Sequence, residues 1–314
     1  MAINYFEQFN ALHEGSQLLV LPNIWDAASA QLCQAAGALA LATSSAAVAW
    51  SLGYADGSSM PISEHLSAVK RILRVSRVPI SIDIEDGYSS DPRQVAELVK
   101  NLCDLGIVGI NIEDGRESPQ LLCEKILAIR STLKAQPFFI NARTDIYLNS
   151  TENSQDSLKQ VMQRLSDYQD AGASGGFIPG LTSLADAQKL TQEISMPLNL
   201  MLLAGMEEPA HFWRAGIRRL SWGPALFQSS YALYSNMANK LFQGKYPKQI
   251  FEHSLDYNYL NNLGANIQQK RSIISKRNNL NFSILTINLQ MRLGEPSLPP
   301  SDLIIQLSKT ITDS

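Results

Sequence analysis

Residues 79–89 read PISIDIEDGYS, residues 107–115 read IVGINIEDG, and residues 138–145 read FFINARTD. Each stretch opens with a short apolar, β-branched run and closes on charged side chains, which is typical of a buried strand and the loop that follows it. The segments between such runs have a helical period. One of them, residues 92–106, ends at Gly106 and carries a single apolar stripe of Val95, Leu98, Val99, Leu102 and Leu105. This alternation predicts parallel βαβ units.

Eight runs of this kind occur between residues 18 and 223. They are LLVLP (18–22), ALALATS (38–44), PISIDIE (79–85), IVGINIE (107–113), FFINART (138–144), GGFIPG (175–180), PLNLML (197–202) and RRLSWG (218–223). Eight units without a long interruption predict a closed (β/α)₈ TIM barrel over residues 1–242, with its last helix at about 224–242. A doubly wound open sheet is the alternative, although no G-x-G-x-x-G turn follows the first strand.

Composition limits the class of protein. Of the 314 residues, 45% are hydrophobic and 18% charged, as in ordinary globular enzymes. A formal net charge of −3 gives no electrostatic footprint for nucleic acid or an anionic membrane. We see no signal peptide and no apolar run of the ~18–20 residues that cross a bilayer. The three cysteines lack metal-ligand spacing, which fits a reducing cytosol. The expectation is a cytoplasmic enzyme that binds neither nucleic acid nor membrane.

The chain beyond residue 242 reads differently. Residues 243–314 lack the strand–helix alternation and include the basic stretch QQKRSIISKRNN (268–279). Residues 280–293, LNFSILTINLQMRL, are compatible with a strand pair or a buried helix, and their periodicity does not choose between them. We interpret 243–314 as a C-terminal extension of the barrel without an assigned role.

Barrel enzymes carry their chemistry at the C-terminal ends of the strands. Residues two apart on a strand share a face, so Asp83 and Glu85 should point together, as should Asn111 with Glu113 and Asn141 with Arg143. Carboxylates crowded in one barrel mouth repel one another, and a hard divalent cation relieves that repulsion. We therefore predict a Mg²⁺ site at Asp83, Glu85 and Glu113. The alternative is a set of structural salt bridges at the rim.

Arg143 would face that ion and present a planar fork suited to a carboxylate or phosphate. With the protein acids committed to the metal, the charge that balances Arg143 should come from the ligand. The substrate is thus expected to be a small carboxylate or phosphonate.

Other residues near the strand ends have more than one interpretation. We interpret Asp86, Asp114 and Asp145 as caps of the helices that follow. The small-residue stretch 43–47 is either a backbone cradle for an anion or a tight turn. Trp25 is either a packing residue or a pocket wall. A histidine base has little support, because none of the predicted strand ends holds His13, His65, His211 or His253.

Several motifs, taken in order, resemble those of the isocitrate lyase / phosphoenolpyruvate mutase superfamily. They are PNIWDAASA (22–30), TSSAAVAWSLGYADG (43–57), IDIEDGYS (82–89), INIEDG (110–115) and INARTD (140–145). The resemblance covers about residues 18–240. It implies a barrel that binds Mg²⁺ beside a 2-oxo or 2-hydroxy carboxylate and makes or breaks C–C or P–C bonds through enolate-type intermediates.

The resemblance also implies roles for individual residues. Asp83, Glu85 and Glu113 would be the metal acids, and Arg143 the anion-binding and catalytic arginine. Asp56, on the segment after the small-residue run, would be a second catalytic residue. The substrate pocket would then comprise Ser44, Ser45, Ala46, Trp25, Asn141 and Arg143. Family members often exchange their last barrel helix between subunits, so a homo-oligomer, a dimer or a tetramer, is expected.

The departures from the family pattern concern the parts that set the reaction. The Lys-(Lys/Arg)-Cys-Gly-His loop of the lyases is missing, because IEDG runs through RESPQ directly into a helix. Cys123, within that helix, is a poor substitute, and the mutases' longer gating loop is also missing. Our first interpretation is a Mg²⁺-dependent C–C lyase acting on a 2-oxo or 2-hydroxy acid. A P–C mutase or hydrolase and a catalytically silent metabolite-binding barrel remain alternatives.

Overall fold

The computed structural model describes residues 4–57, 59–149, 155–246, 248–252 and 254–264. The chain divides into two compact units, residues 1–253 and 254–314. The ambiguous segment 280–293 and the basic stretch 268–279 lie outside the described residues. Among the helices that the structure describes, none has the length and apolarity that a membrane crossing requires.

The first unit consists of parallel strands alternating with helices, as predicted. The strands are β1 (Leu19–Leu21), β2 (Asn23–Ile24), β3 (Leu41–Thr43), β4 (Ile80–Asp83), β5 (Gly109–Glu113), β6 (Phe139–Arg143), β7 (Gly175–Ile178), β8 (Leu198–Met201) and β9 (Arg219–Ser221). The helices are α1 (Tyr5–Glu14), α2 (Ala27–Ala35), α3 (Ser45–Ser51), α4 (Ile62–Val75), α5 (Pro92–Asp104), α6 (Pro119–Leu133), α7 (Ile146–Asn149), α8 (Gln155–Asp170), α9 (Leu184–Glu193), α10 (Pro209–Arg214), α11 (Ala225–Phe242) and α12 (Gln249–Glu252).

The strand order β1-β9-β8-β7-β6-β5-β4-β3-β2 gives a barrel in which β1 and β2 together form the first strand, and the prediction of 18–22 covers only β1. Pro22 separates them, because proline has no N–H to donate to the ladder. The first half pairs with β9 and the second with β3, so the broken strand joins the two ends of the sheet. The (β/α)₈ prediction is confirmed and the doubly wound alternative is wrong.

The helices form where the apolar stripes and the capping residues of the sequence predict them. In α5 the buried stripe comprises Val95, Leu98, Val99 and Leu102, and Asp91 caps the first turn through a 2.9 Å bond from the Arg93 amide. Ser118 caps α6 in the same way. Each such apolar side chain contributes roughly 1.5–3 kcal/mol on burial. The predicted stripe is wrong at Leu105, which is 37% exposed because the helix ends at Asp104.

The N-terminal end of the barrel is sealed by α1. Phe9 packs edge-on against Phe139 with ring centroids 5.4 Å apart, and the His13 ring stacks on Phe139 at 4.2 Å. Burial, together with the nearby charge of Arg219, lowers the pKa of His13 to about 3. An apolar, aromatic floor at this end leaves the opposite end, where the strands finish, as the open mouth.

A polar layer lies above this floor. Arg219 of β9 is almost completely buried, and its Nη2 donates to Asn111 Oδ1 of β5 at 3.1 Å. Asn141 of β6 donates to the same oxygen at 2.9 Å. Because β9 and β5 are four strands apart in the eight-stranded ring, Arg219 reaches across the lumen. Barrel interiors are more often filled by branched apolar residues, so this layer marks the level at which the interior becomes polar.

Candidate active site

Asp83 ends β4 at the mouth and is held by the start of α3. Its Oδ2 accepts hydrogen bonds from the Ser45 amide (3.2 Å) and the Ser45 hydroxyl (2.9 Å). Its Oδ1 is buried without a hydrogen-bond partner. Helix N-termini offer free N–H groups to anions, and here the anion is a side chain of the protein itself. The small-residue stretch is therefore both a helix start, capped by Ser44, and a cradle for a carboxylate.

Glu85 occupies a turn. The strand ends at Asp83, and Glu85 adopts a left-handed backbone with φ of 52°, so the two-residue alternation that we predicted does not reach it. Tyr88, with φ of 58°, shares this strained turn. Such conformations are uncommon for residues other than glycine and cluster at functional sites. Glu85 is nevertheless buried, and burial together with the Glu85 and Asp83 charges raises the pKa of Tyr88.

Glu113, Arg143 and Asp145 form a connected ion-pair cluster. Glu113 and Arg143 are register partners on β5 and β6, with Oε2 and Nη1 2.6 Å apart. The Arg143 fork then grips Asp145 through Nε (2.6 Å) and Nη2 (2.9 Å). The expectation that only a ligand balances Arg143 is wrong, because two protein carboxylates do so. Burial alone would lower the pKa of Arg143, but Glu113 and Asp145 outweigh it and raise that pKa.

The carboxylates of the mouth influence one another. Burial raises the pKa of Glu113 to about 8, with Asp83, Asp145 and Glu85 adding to the shift and Arg143 opposing it. Asp56 lies in an exposed stretch between α3 and α4, yet partial burial of its carboxyl and the charge of Asp83 raise its pKa as well. Asp56 therefore lies within electrostatic reach of the same mouth.

The donor set fits a hydrated divalent cation. In the described part of the chain, no three His, Cys, Asp or Glu side chains meet closely enough to ligate one ion directly. Mg²⁺, however, keeps several of its waters and needs only one or two protein carboxylates. Asp83 offers a buried, unpartnered Oδ1, and Glu85 and Glu113 carry the crowded charge that a cation would relieve.

Asp114 has a different position from the one we predicted. It accepts from the Asp145 amide (3.2 Å), Arg164 Nη1 (2.6 Å) and the Tyr168 hydroxyl (2.7 Å), the last two on α8. The cap prediction is wrong for Asp86 and Asp114, because Asp91 and Ser118 cap α5 and α6. Asp145 directly precedes α7, but its carboxylate binds Arg143.

The connection from β5 to α6 is short and fixed. It comprises only residues 114–118, and Lys125, fully buried in α6, ties it down. The Lys125 ammonium ion-pairs with Glu117 and donates to the Asp86 carbonyl at 2.8 Å, which joins the loops after β4 and β5. Cys123 is half-buried in α6, and burial raises the pKa of its thiol. These described segments thus contain no acid/base loop of the lyase type.

Trp25 and Asn141, which the sequence predicts to line the pocket, lie in different surroundings. Trp25 packs edge-on against Phe227 of α11, with ring centroids 5.3 Å apart, and Trp50 adjoins the same ring at 5.7 Å. Asn141 is 1% exposed and belongs to the polar layer below the mouth.

His65 is a residue that the strand-end reasoning missed, because it lies on α4. It is buried 5.4 Å from the Tyr88 ring, and neither ring nitrogen has a hydrogen-bond partner. Burial lowers its pKa to about 4, although the charge of Asp83 opposes this shift. The signal in the sequence was a histidine on the buried stripe of an amphipathic helix.

Comparison with known proteins gives one family. The sequence profile of the family described as phosphoenolpyruvate phosphomutase matches residues 9–242. An uncharacterised protein of Mycobacterium tuberculosis H37Rv is 32% identical over 241 residues, which cover 76% of this chain and 90% of that protein. An oxaloacetate decarboxylase of Pseudomonas aeruginosa PAO1 is 28% identical over 234 residues, covering 70% and 79%.

Solved structures agree on the fold. A protein of Burkholderia cenocepacia J2315, provisionally named a phosphonomutase, has a TM-score of 0.72 and 33% sequence identity. The match covers 76% of this chain and 100% of that protein's chain. A 2,3-dimethylmalate lyase has a TM-score of 0.74 at 21% identity, covering 88% and 100%, and supports the fold alone.

Proposed function

Because this chain belongs to the phosphoenolpyruvate phosphomutase family and is an enzyme, we propose that it is a lyase that cleaves a C–C bond in a small 2-oxo dicarboxylate of the oxaloacetate class. The observation that carries the proposal is the short connection of residues 114–118, tied down by Lys125. It favours one of two kinds of C–C cleavage, which differ in the acid and base groups that they require of the protein.

Cleavage of a 2-hydroxy acid of the isocitrate type needs a base to take the hydroxyl proton and an acid to protonate the carbanion. Decarboxylation of a 2-oxo dicarboxylate needs no base. The bond from C3 to its carboxylate breaks, CO₂ leaves, the electron pair forms the enolate of the 2-oxo acid, and C3 then takes a proton. A site without the acid/base loop suits the second reaction, because the main requirement is to stabilise the enolate charge.

The residues of this chain would divide the work as follows. Arg143 would bind the substrate's carboxylate, and Ser44, Ser45 and Ala46 would line the pocket beside it. Asp56, whose pKa is raised by partial burial and by the charge of Asp83, would be the group that delivers the proton to C3. Asp83, with Glu85 and Glu113 through water, would hold Mg²⁺, which when bound supplies electrostatic stabilisation of negative charge on the substrate oxygens.

The test is a substrate panel of oxaloacetate, 2-methylisocitrate, phosphonopyruvate and phosphoenolpyruvate, each with Mg²⁺ and with a chelator. We expect pyruvate and CO₂ from oxaloacetate well above the spontaneous rate, and loss of this activity in Asp83→Ala with an unchanged circular dichroism spectrum. Faster turnover of 2-methylisocitrate would contradict the decarboxylation mechanism. Interconversion of the phosphorus compounds would establish the P–C alternative, and no turnover at all would favour the silent barrel.

We also propose that the enzyme is a cytoplasmic homo-oligomer. In α11 the buried residue is Phe227, whereas Leu233, Tyr234 and Phe242 are 50%, 74% and 93% exposed. A helix that presents this much apolar surface is suited to a partner, here a second copy of the chain. The three cysteines are free, as a reducing compartment would keep them.

A further inference from the structure

Behind the candidate active site, a chain of hydrogen bonds runs inward from α8 to Arg143. Arg164 and Tyr168, one helical turn apart on α8, both donate to Asp114 Oδ2, at 2.6 and 2.7 Å. The other oxygen of Asp114 accepts the Asp145 amide at 3.2 Å, and the Asp114 amide donates to the Arg143 carbonyl at 3.2 Å. Asp114 thus holds the backbone on both sides of Thr144.

The position of Arg143 depends on that backbone. Asp145 grips the guanidinium with two bonds of 2.6 and 2.9 Å, so a shift of the Asp145 main chain moves the fork directly. The Asp114 side chain is fully shielded from solvent, and so is the tie to Tyr168. Because the bond between Tyr168 and Asp114 is buried, an arrangement that breaks it leaves a carboxylate or a hydroxyl without a partner, whereas Arg164 is 25% exposed.

A purely structural role would not need such an arrangement at this place. The helix that follows β5 has its own cap in Ser118, and α8 packs through Val161 and Leu165, both completely buried. What Asp114 adds is a link between an outer helix and the two residues that flank Thr144 at the mouth. We propose that Asp114 is a positioning residue, clamped by Arg164 and Tyr168, that sets the orientation in which Arg143 meets the carboxylate of the substrate.

This inference rests on the proposed function only in using Arg143 as the carboxylate-binding group. Asp114→Asn retains the shape and the acceptor for the Asp145 amide but loses the charge that holds Arg164. Tyr168→Phe removes the hydroxyl that donates to Asp114 without opening a cavity. It is the second test variant, to be used if Asp114→Asn fails to fold. The probes are oxalate, for the Arg143 side of the site, and Mn²⁺ alone, for the Asp83 side.

We expect Asp114→Asn to weaken oxalate binding roughly tenfold, because it removes the charge that holds both donors, and Tyr168→Phe several-fold, because it removes only one of the two donors on α8. The dissociation constant of Mn²⁺ should change much less than that of oxalate, since Asp83 is held by Ser45 and not by Asp114, and only Glu113 links the metal side to Arg143. In an Arg143→Lys background, Asp114→Asn should have little further effect on oxalate. An undiminished effect there, or an equal loss of Mn²⁺ affinity, would overturn the proposal.

A second readout separates this proposal from the proposed function. If wild type binds no oxalate, the substrate assignment fails, but the clamp can still be tested without a ligand. In protein labelled with ¹⁵N-arginine, the Nε–H signal that disappears in Arg143→Lys reports on the Asp145 bond. Faster exchange of that proton in Asp114→Asn supports the clamp, and unchanged exchange refutes it.

Discussion

Replacement of Arg143 by lysine tests whether its guanidinium binds the substrate or only stabilises the barrel mouth through its ion pairs. The arginine makes three short contacts, two to Asp145 and one to Glu113. A lysine ammonium is a single point and can retain about one of them. Because the Arg143 side chain is only 18% exposed, solvent compensates little for the loss. Two charge-assisted bonds at 1.5–3 kcal/mol each, partly recovered by relaxation, give a loss of about 2–4 kcal/mol in unfolding free energy.

The effect on binding is a separate quantity. If Arg143 also receives the substrate, oxalate should bind Arg143→Lys more weakly by ~1.5–3 kcal/mol, or roughly 10–150-fold. The assay is calorimetric titration of oxalate in Mg²⁺ at a temperature where both proteins are folded, with unfolding measured separately in urea. Arg93→Lys is the matched control, since its side chain is 88% exposed, and it should change neither quantity by more than about 0.5 kcal/mol. Equal oxalate affinities for Arg143→Lys and wild type, despite lower stability, would show that Arg143 is structural.

Three further predictions concern stability and assembly. Lys125→Met should lower the unfolding free energy, measured in urea, by ~2 kcal/mol, because the Lys125 side chain is fully buried and ion-paired with Glu117. Lys100→Met, whose lysine is 40% exposed on α5, is the control and should change it by less than about 0.5 kcal/mol. The pKa of His13, lowered to about 3 by burial, makes folding weaker as pH falls from 6.5 towards 3, since the unfolded chain binds the extra proton. Between pH 7 and pH 5 wild type should therefore lose about 2 kcal/mol more than His13→Phe, and equal losses would contradict a buried neutral imidazole. Light scattering at micromolar concentration should show a homo-oligomer, which a charge at Leu233 on α11 should weaken, whereas a wild-type monomer would rule out the assembly.

The fold was predictable because hydrophobic periodicity carries it. Each of the eight predicted runs contains an observed strand, although β2 lies outside them, because the buried parallel strands are largely apolar and alternate with helices. What periodicity could not show was the break at Pro22 or the end of β4 at Asp83. Both are set by where the backbone must turn, and the left-handed turn at Glu85 follows from tertiary context. The strand ends two residues before its predicted end at residue 85, and this changed how Glu85 reaches the mouth.

The candidate site was predictable as a set of residues and less so as a set of contacts. Sequence spacing placed Glu113 and Arg143 on adjacent strand ends, and they are register partners. It could not reveal that the Arg143 guanidinium binds Asp145. Glu113, Asp145 and a ligand can all accept hydrogen bonds from the same guanidinium N–H groups, and sequence spacing does not rank them. His65 and Arg219 were missed for a related reason, since residues on helices or deep in the lumen carry no strand-end signal.

Arg219 also has a consequence for how the barrel folds. Its bond to Asn111 joins residues 108 positions apart, and the pairing of β9 with β1 joins residues still farther apart in the chain. Neither contact can form until β9, the last strand, has been synthesised. The entropy lost when the chain ends are brought together is therefore compensated by these contacts only at the final step of folding. Until then, the polar lumen of an incomplete barrel lacks its cation and stays open to water. Closure should therefore be a late and slow kinetic phase, and a ribosome-bound chain that ends before β9 should remain a substrate for proteases and chaperones.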